Sequence, residues 1–235
     1  GNTPYDDQTV SIDTGNGTFF VQTNADKGGH NRLVPNAYGS ASYSLSNGVG
    51  TETGKHLADG VTGTTNLAYT NSDIAGFDVG IAMSPGAVGG TDTVLKVKRA
   101  DLADGLTVAA SWGNINPSDQ NNDTDEITLS ASYAVGGLTI GVQSSENDGP
   151  TAATTDESDS WAVSYAITDD FSVSYGQHTY EDGTNSTQDQ ESEGFSASYT
   201  AGGATIKAAF NSTDNIRNVA TDDEDSMEIA VSFAF

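Results

Sequence analysis

The sequence predicts an all-β fold, an antiparallel up-and-down transmembrane β-barrel with about thirteen strands in the 235 residues of this chain. Three observations predict it. Apolar and polar residues alternate with a period of two along much of the chain. Short glycine-rich turns alternate with long polar connections. Only 35% of the residues are hydrophobic, and a barrel with a wet interior needs just one apolar face per strand.

Composition and charge exclude several classes of protein. The 33 acidic residues against 8 basic ones give a formal net charge of −25, which would repel the phosphates of a nucleic acid. The chain has no cysteine, so a disulfide scaffold and a thiolate metal site are both excluded. Low hydrophobicity with high charge is also typical of disorder. The regular placement of 9 Tyr, 8 Phe and 2 Trp argues against it.

Thirteen segments are predicted to be strands, and the last one shows the alternation most clearly. From Met227 to Phe235 every second side chain is apolar, and Glu228, Ala230 and Ser232 lie between them, so one face is apolar and the other small or polar. The preceding twelve segments begin, in chain order, near Val10, Thr18, Leu67, Phe77, Thr93, Leu106, Ile127, Leu138, Trp161, Phe171, Phe195 and Ile206.

The connections between these segments alternate between short and long. Short turns, in which Gly and Asn supply positive φ, are predicted at residues 15–17, 73–76, 101–105, 136–137, 169–170 and 202–203. Longer polar connections are predicted at residues 28–63, 84–90, 114–125, 144–158, 178–190 and 212–224. This order is typical of a membrane barrel with short periplasmic turns and long external loops. A soluble acidic β-sandwich, such as a Ca²⁺-binding surface protein or adhesin, is the main alternative, but it does not predict the strict alternation.

The end of the chain resembles the terminal strand of outer-membrane proteins. The segment from Ile229 to Phe235 alternates apolar and small residues and finishes on phenylalanine. In that family the C-terminal Phe is read by the machinery that inserts barrels. The resemblance therefore implies that Phe233 and Phe235 serve membrane insertion.

Two further segments resemble the general diffusion porins of Gram-negative bacteria, especially the alphaproteobacterial kind, which are trimeric. They are Val10–Asn24 and, after a long connection, the hairpin that contains Asn66–Ser72 and Ala75–Gly80. In that family a strand pair precedes the longest loop, which folds into the barrel. The resemblance implies a single porin β-barrel domain over residues 1–235, in which residues 28–63 form the inward-folding loop. The charged residues of that constriction loop would be Arg32, Glu52, Lys55, His56 and Asp59.

The resemblance also implies a barrel of sixteen strands when complete. If residues 28–63 are the third external loop, the thirteen predicted strands are the fourth to the sixteenth. Three N-terminal strands are then expected to be absent from this chain, because a bacterial single-chain barrel has an even number of strands. An unrecognised strand within residues 1–7 or 37–45, giving fourteen strands, is the alternative.

Three lysines are expected to line the lumen. Lys96 and Lys98 alternate with Leu95 and Val97, and Lys207 follows Ile206 in the same way. A lysine on the lipid face at mid-bilayer costs roughly 2–4 kcal/mol, so the ammonium groups should face water. We expect a basic wall patch that faces the constriction loop.

The acidic residues cluster in the long connections, where a solvated outer surface is the plainest interpretation. The alternative is weak Ca²⁺ or Mg²⁺ binding that bridges subunits or lipopolysaccharide, with Asp222, Asp223 and Asp225 as candidate ligands. No other cofactor is expected. No catalytic motif is present, so the sequence does not predict an enzyme.

These observations together predict a porin of the bacterial outer membrane for passive diffusion of ions and small hydrophilic solutes. Its expected partners are outer-membrane lipid and lipopolysaccharide, and the resemblance implies a homotrimer. A substrate-specific outer-membrane channel is a closer alternative than the β-sandwich. Ion selectivity is left open, because acidic loops favour cations and a basic wall favours anions.

Overall fold

A computed structural model describes residues 8–23, 33, 66–87, 90–115, 123–149, 155–184 and 187–233. These residues form one antiparallel sheet of thirteen strands, and each strand pairs with its neighbours in the chain. The predicted number of strands and the up-and-down order are both confirmed. A β-sandwich requires two packed sheets, so the single continuous sheet argues against that alternative.

The strands are β1 Gln8–Asp13, β2 Thr18–Thr23, β3 Asn66–Ile74, β4 Phe77–Ala87, β5 Gly90–Ala103, β6 Leu106–Ile115, β7 Thr124–Val135, β8 Leu138–Asp148, β9 Asp156–Thr168, β10 Phe171–Glu181, β11 Gln190–Ala201, β12 Ala204–Asp214 and β13 Glu224–Phe233. A single 3₁₀ turn, Ile216–Asn218, lies between β12 and β13. Within the described part of the chain, no helix is both long enough and apolar enough to cross a bilayer.

The two faces of the sheet show the reverse of the burial pattern of a soluble protein: large apolar side chains are exposed and small polar ones are buried. On one face, here called the apolar face, large side chains such as Leu129 (56% exposed) and Phe233 (63% exposed) are open. On the other, the polar face, Thr128 and Ser145 are each only 2% exposed. A soluble protein buries its large apolar side chains. The reverse arrangement is what a strand has when its apolar face meets lipid.

The short turns lie where the sequence predicts them, and their backbone explains the choice of residue. Gly76, Gly105, Gly136 and Gly202 all have positive φ, which glycine adopts without a steric cost. The space at Gly105 is restricted as well, since an added Cβ would collide with the carbonyl oxygen of Ala134. A side chain at Gly105 would therefore have to displace that carbonyl.

One predicted connection is wrong. Residues 84–90 were expected to form a long polar loop, but β4 continues to Ala87 and β5 begins at Gly90, with these two residues in register. The pairing continues across a register shift between Ser84 and Ala87. A bulge absorbs the irregularity that Pro85 and Gly86 bring, so the strict alternation of short and long connections fails at this hairpin.

The four long connections that follow β6, β8, β10 and β12 are shorter than predicted, because the strands extend into them. β8 reaches Asp148 and β9 starts at Asp156, whereas residues 144–158 were all expected to be loop. At the predicted short turn 101–105, β5 runs through Asp101 to Ala103, so the turn itself is confined to residues 104–105. Polar residues at the strand ends continue the hydrogen-bonded ladder after the apolar alternation has stopped.

The prediction that three N-terminal strands are absent concerns the two edges of the sheet. Among the described residues, β1 and β13 are the first and last strands of the sheet. The alternative additional strand within residues 1–7 or 37–45 lies outside the described residues. So does the predicted inward-folding loop at residues 28–63, of which only Leu33 is described.

Candidate functional site

The polar face of β7–β12 is joined by pairs of short side chains across neighbouring strands. Thr128 Oγ1 and Ser145 Oγ are 3.1 Å apart, and Ser174 Oγ and Ser196 Oγ are 2.6 Å apart. Ser158 Oγ lies 2.8 Å from His178 Nε2. The alternation places these small polar residues on one face, and their hydrogen bonds satisfy groups that would be costly to bury alone. This face presents a polar surface with few large side chains.

Two of the predicted lysines lie on this polar face, in β5. Lys98 stands directly opposite Asp78 of β4, and its Nζ lies 3.3 Å from Asp78 Oδ2. Lys96 stands opposite Gly80, where an added Cβ would lie 2.9 Å from Lys96 Cε. The aliphatic part of Lys96 therefore lies across the backbone of Gly80. A side chain at residue 80 would occupy the same space.

Lys96 and Lys98 line a cavity of 710 Å³ at the short-turn end of β1–β5. Asp13, Thr18, Thr70, Gly80 and Lys96 all line it, and they lie directly across from one another on five adjacent strands. The short residues between Asp13 and Lys96 leave the space open. We call this cavity the lysine chamber.

The lysine chamber carries charges of both signs. Lys96 and Lys98 supply the positive charges, and the carboxylates of Asp13, Asp73 and Asp78 also line it. Asp13 Oδ1 accepts a hydrogen bond from the Gly15 amide at 2.8 Å, and Asp73 Oδ1 accepts one from the Gly76 amide at 3.1 Å. These two carboxylates therefore also stabilise the turns at the rim of the chamber. The predicted basic patch has acidic neighbours that the sequence analysis did not include.

Lys207 lies on the polar face too, but away from the chamber. In β12 it stands opposite Ser198 and Ala230, and β12 is separated from β5 by six intervening strands in the sheet. The structure therefore brings two of the three predicted lysines together and not the third.

The other predicted site residues fall into two groups. The constriction-loop residues lie outside the described part of the chain, as does Phe235; they are Arg32, Glu52, Lys55, His56 and Asp59. Phe233 is described, and it lies on the apolar face at the end of β13, opposite Ala204. Its role in membrane insertion stays a prediction.

The candidate cation ligands lie in and beside the connection between β12 and β13. Asp223 Oδ1 accepts a hydrogen bond from the Asn215 amide at 3.1 Å, and the Asp222 backbone pairs with Ile216 and Val219. Among the residues that the structure describes, no group of three His, Cys, Asp or Glu side chains is arranged to hold a metal ion. Weak Ca²⁺ binding by Asp222, Asp223 and Asp225 stays a prediction.

Asp78 is one of the residues of this site that the sequence did not indicate. Its neighbours Phe77 and Val79 alternate with it, so its polar-face position could have been predicted. Its pairing with Lys98 could not have been predicted, because it depends on the register between β4 and β5. The connection between these strands was predicted incorrectly as a long loop.

Comparison with solved structures decides the fold. A porin refined at 1.8 Å resolution matches with a TM-score of 0.73 and 15% sequence identity, over 97% of this chain and 80% of that one. This chain has the porin fold. The predicted resemblance to porins is thereby confirmed at the level of the fold.

Two more solved structures share the porin fold. OmpT of Vibrio cholerae, an outer membrane protein in a form lacking its loop L8, matches with a TM-score of 0.60 and 16% identity, over 97% of this chain and 79% of that one. A mutant form of Rh. blastica porin matches with a TM-score of 0.60 and 14% identity, over 97% of this chain and 88% of that one. No protein-family model matches the sequence, and no curated protein matches it.

In membrane proteins with the porin fold, the two faces of the sheet have different surroundings. In a transmembrane barrel the apolar face meets lipid and the polar face lines the interior. The lysine chamber, Lys207 and the hydroxyl pairs all lie on the polar face. The candidate site of this chain is therefore the polar face, which carries hydroxyl groups and charges of both signs.

Proposed function

We propose that this chain forms a water-filled channel in the bacterial outer membrane, through which ions and small hydrophilic solutes diffuse passively. The observation that carries the proposal is the inverted burial of the sheet. Large apolar side chains are exposed on one face, and serines, threonines and charged residues occupy the other. A polar lining surrounded by an apolar exterior suits a lipid-embedded channel.

The proteins of similar fold support this assignment. They are porins, which are channels and not enzymes, and one is described as an outer membrane protein. Another structure of similar fold, with a TM-score of 0.58, is described as showing asymmetric conductivity of engineered proteins. On this basis we assign the chain to the outer membrane as a channel.

We propose that the channel prefers cations. On the polar face, the alternation places the carboxylates of Asp78, Asp92, Glu126 and Glu228 among the three lysines. Asp78 is paired with Lys98, so it offsets one of the three positive charges. The whole chain carries a net charge of −25, and a negative potential at the channel mouths raises the local concentration of cations. The sequence alone left the ion selectivity open, and these charges support a preference for cations.

Three further parts of the proposal rest on the resemblance to general diffusion porins. Residues 28–63 would fold inward and narrow the pore, with Arg32, Glu52 and Lys55 among the charges that shape its field. The protein would assemble as a homotrimer. Lipid and lipopolysaccharide would surround it, with weakly bound Ca²⁺ or Mg²⁺ at the acidic connections as the bridge to phosphate groups.

Planar-bilayer recording of the full-length protein tests the proposed function. We expect stepwise conductance that rises in proportion to salt concentration, and a reversal potential in a KCl gradient that indicates cation preference. A conductance that saturates as the concentration of one solute rises would favour the substrate-specific channel. A conductance that is blocked by one solute would favour it as well. A protein that stays soluble without detergent, adds no conductance and shows no heat-modifiable mobility on a gel would contradict the channel.

A further inference from the structure

Arg99 of β5 is the one charged residue at a paired position in the short-turn half of the apolar face, among the strands that the structure describes. It stands directly opposite Val108 of β6. The carboxylates that β7–β13 carry on this face lie in the other half, towards the long connections, from Asp125 of β7 to Asp225 of β13. The apolar face of the described sheet therefore has acidic groups at one end and a guanidinium at the other.

Three contacts hold this guanidinium at the end of the β3–β4 hairpin. Arg99 Nη1 donates a hydrogen bond to the Ala75 carbonyl at 2.8 Å, and Cζ lies 4.9 Å from the centre of the Phe77 ring. The group also covers Gly76, since a Cβ added there would lie 3.1 Å from Cζ. Long cationic side chains near the end of a membrane span direct their charge towards the interface in this way. The contacts fix the positive charge at the level of the short turn.

Most donors of this guanidinium are not used by the described residues. An arginine has five N–H donors, and the hydrogen bond to the Ala75 carbonyl uses one of them. Arg99 Nε is buried and has no hydrogen-bond partner. The ion pair of this strand is formed by its neighbour Lys98 with Asp78, on the polar face. The edge of the guanidinium formed by Nε and Nη2 can donate two parallel hydrogen bonds to a phosphate group.

The acidic residues close to Arg99 in the chain or in the turn do not occupy these donors. Asp73 Oδ1 accepts a hydrogen bond from the Gly76 amide at 3.1 Å, and Asp73 lines the lysine chamber. Asp101 and Asp104 follow Arg99 towards the β5–β6 turn, where both are exposed. Water and salt screen exposed charges. These carboxylates therefore weaken the attraction of Arg99 for an anion but leave its donors open.

A strip of apolar pairs leads from Arg99 towards the middle of the sheet. Val79 stands opposite Val97, and Ile81 stands opposite Leu95, all on the apolar face of β4 and β5. Ile81 is 46% exposed and Leu95 is 42% exposed. A free ion would use only the guanidinium, whereas an amphipathic anion would contact both the guanidinium and the strip.

We propose that Arg99 binds the phosphate of an anionic phospholipid, whose acyl chain lies along the apolar strip of β4 and β5. This proposal rests on the proposed function, because it requires the apolar face to meet lipid. Short turns of bacterial barrels lie on the periplasmic side, so the site belongs to the periplasmic leaflet, away from the acidic connections. A second copy of the chain is a poorer occupant, since the paired positions of the described strands offer no carboxylate on this face in the short-turn half.

Quenching of tryptophan fluorescence by brominated lipid measures which lipid lies beside a chosen residue. The two native tryptophans are removed from the full-length protein as Trp112→Phe/Trp161→Phe. Phe77→Trp then places a reporter at the site and keeps an aromatic ring beside the guanidinium. The protein is inserted into vesicles of phosphatidylglycerol and phosphatidylethanolamine with identical acyl chains, with one or the other lipid brominated. We expect phosphatidylglycerol to be enriched roughly two- to fivefold at this reporter, which is what one cation near an anionic headgroup supplies.

A second reporter position controls for the charge of the whole protein. Tyr199→Trp, in the same tryptophan-free protein, lies on the apolar face near another short turn. Its direct neighbours are Phe171 and Ile206, which are uncharged. We expect no enrichment of phosphatidylglycerol at this position, because the net negative charge of the chain repels anionic lipid rather than attracting it.

Two substitutions in the Phe77→Trp protein test the guanidinium itself. Arg99→Gln should abolish the enrichment. Lys207→Gln removes the same charge from the polar face and should preserve it, since that side chain does not face lipid. Arg99→Lys should keep part of the enrichment, because it retains the charge but not the paired donors. Heat-modifiable mobility on a gel shows that each variant is folded before quenching is measured.

Equal enrichment at the two reporter positions would overturn the lipid site, as would an unchanged enrichment in Arg99→Gln or an equal loss in Lys207→Gln. Loss of the enrichment when sodium phosphate replaces sodium chloride at equal ionic strength would assign the guanidinium to free phosphate instead. Bilayer conductance of the same preparation separates the two proposals. A conducting protein without enrichment loses only the lipid site, and a protein that shows neither conductance nor quenching by any brominated lipid loses both.

Discussion

Neighbouring cations of β5 have different environments because successive side chains point to opposite faces of a strand. Lys98 lies on the polar face and pairs with Asp78. Arg99 lies on the apolar face, where its Nη1 donates a hydrogen bond to the Ala75 carbonyl at 2.8 Å and its guanidinium lies 4.9 Å from the centre of the Phe77 ring. A turn carbonyl and an aromatic ring thus hold a cation on the apolar face.

Replacing Lys96 by glutamate should increase cation selectivity. The change makes the wall of the lysine chamber more negative by two charges. At about 8 Å in water this corresponds to about 1 kcal/mol before screening, so we expect roughly a two- to fivefold rise in the ratio of cation to anion permeability. Reversal potentials in a KCl gradient measure it.

Lys96→Gln is the intermediate control and should give about half of that shift in the reversal potential, because it removes one charge and adds none. An unchanged reversal potential in Lys96→Glu would place the chamber outside the path of the ions.

At this scale, the sequence could predict which face a residue occupies but not its partner. Alternation was sufficient to place Lys96, Lys98 and Lys207 on the polar face. The Lys98–Asp78 pair and the separation of Lys207 from the chamber depend on pairing register and on position around the sheet, and neither is encoded in a local pattern.

Backbone geometry determines where the strands end and the turns begin. The tight turns at Gly105 and Gly136 both use positive φ, but their surroundings differ. An added Cβ at Gly105 would meet the Ala134 carbonyl, whereas at Gly136 nothing lies within 4 Å. The two positions therefore separate the cost of an unfavourable φ from the cost of a steric clash.

Gly136→Ala should destabilise the folded protein by about 1–2 kcal/mol, the cost of a left-handed conformation for alanine. Gly105→Ala should cost more, by a further roughly 1–3 kcal/mol, because crowding adds to the strained φ. Urea unfolding of vesicle-inserted protein, followed by tryptophan fluorescence, measures both. Equal destabilisation of the two variants would mean that the Ala134 carbonyl moves aside without cost.

Adjacent positions on β7 test the assignment of the two faces. Ala131 lies on the apolar face between Leu129 and Tyr133, and Ser132 lies on the polar face. Ala131→Lys should destabilise the inserted protein by about 2–4 kcal/mol, because it places an ammonium in lipid. Ser132→Lys should cost much less, since channel water can solvate the same group. Comparable losses for the two in the same urea titration would contradict the face assignment.

Element positions were predicted well because periodicity and glycine turns are local signals. The hairpin between β4 and β5 was the exception. Pro85 and Gly86 indicated a break in the chain, yet pairing continued past them through a bulge. Long-range pairing can override such a local signal when both flanking strands are already in register.

In the proposed channel, the charge of the whole molecule should influence permeation. The chain has 33 acidic and 8 basic residues, so we expect a negative potential near the channel mouths from carboxylates spread over many connections. Its influence extends about one Debye length, which is about 10 Å at 0.1 M salt and about 3 Å at 1 M. The fold itself could be predicted from the sequence because most strands repeat the same two-faced pattern.

Cation preference should therefore fall as salt rises. We expect the permeability ratio measured between about 0.1 M and 1 M KCl to approach that of free diffusion at the high end, since surface charges are then screened. Bilayer reversal potentials at a constant concentration ratio test this. A preference that persists at 1 M would indicate a binding site in the narrowest zone rather than a diffuse field.

The exposed rows of leucine, isoleucine and aromatic residues also have a consequence for the time before the sheet reaches a bilayer. In water those rows would leave a large apolar surface exposed, and copies of the chain would associate through it. If the protein is inserted into the outer membrane as proposed, we therefore expect a partner to cover this surface until lipid replaces it.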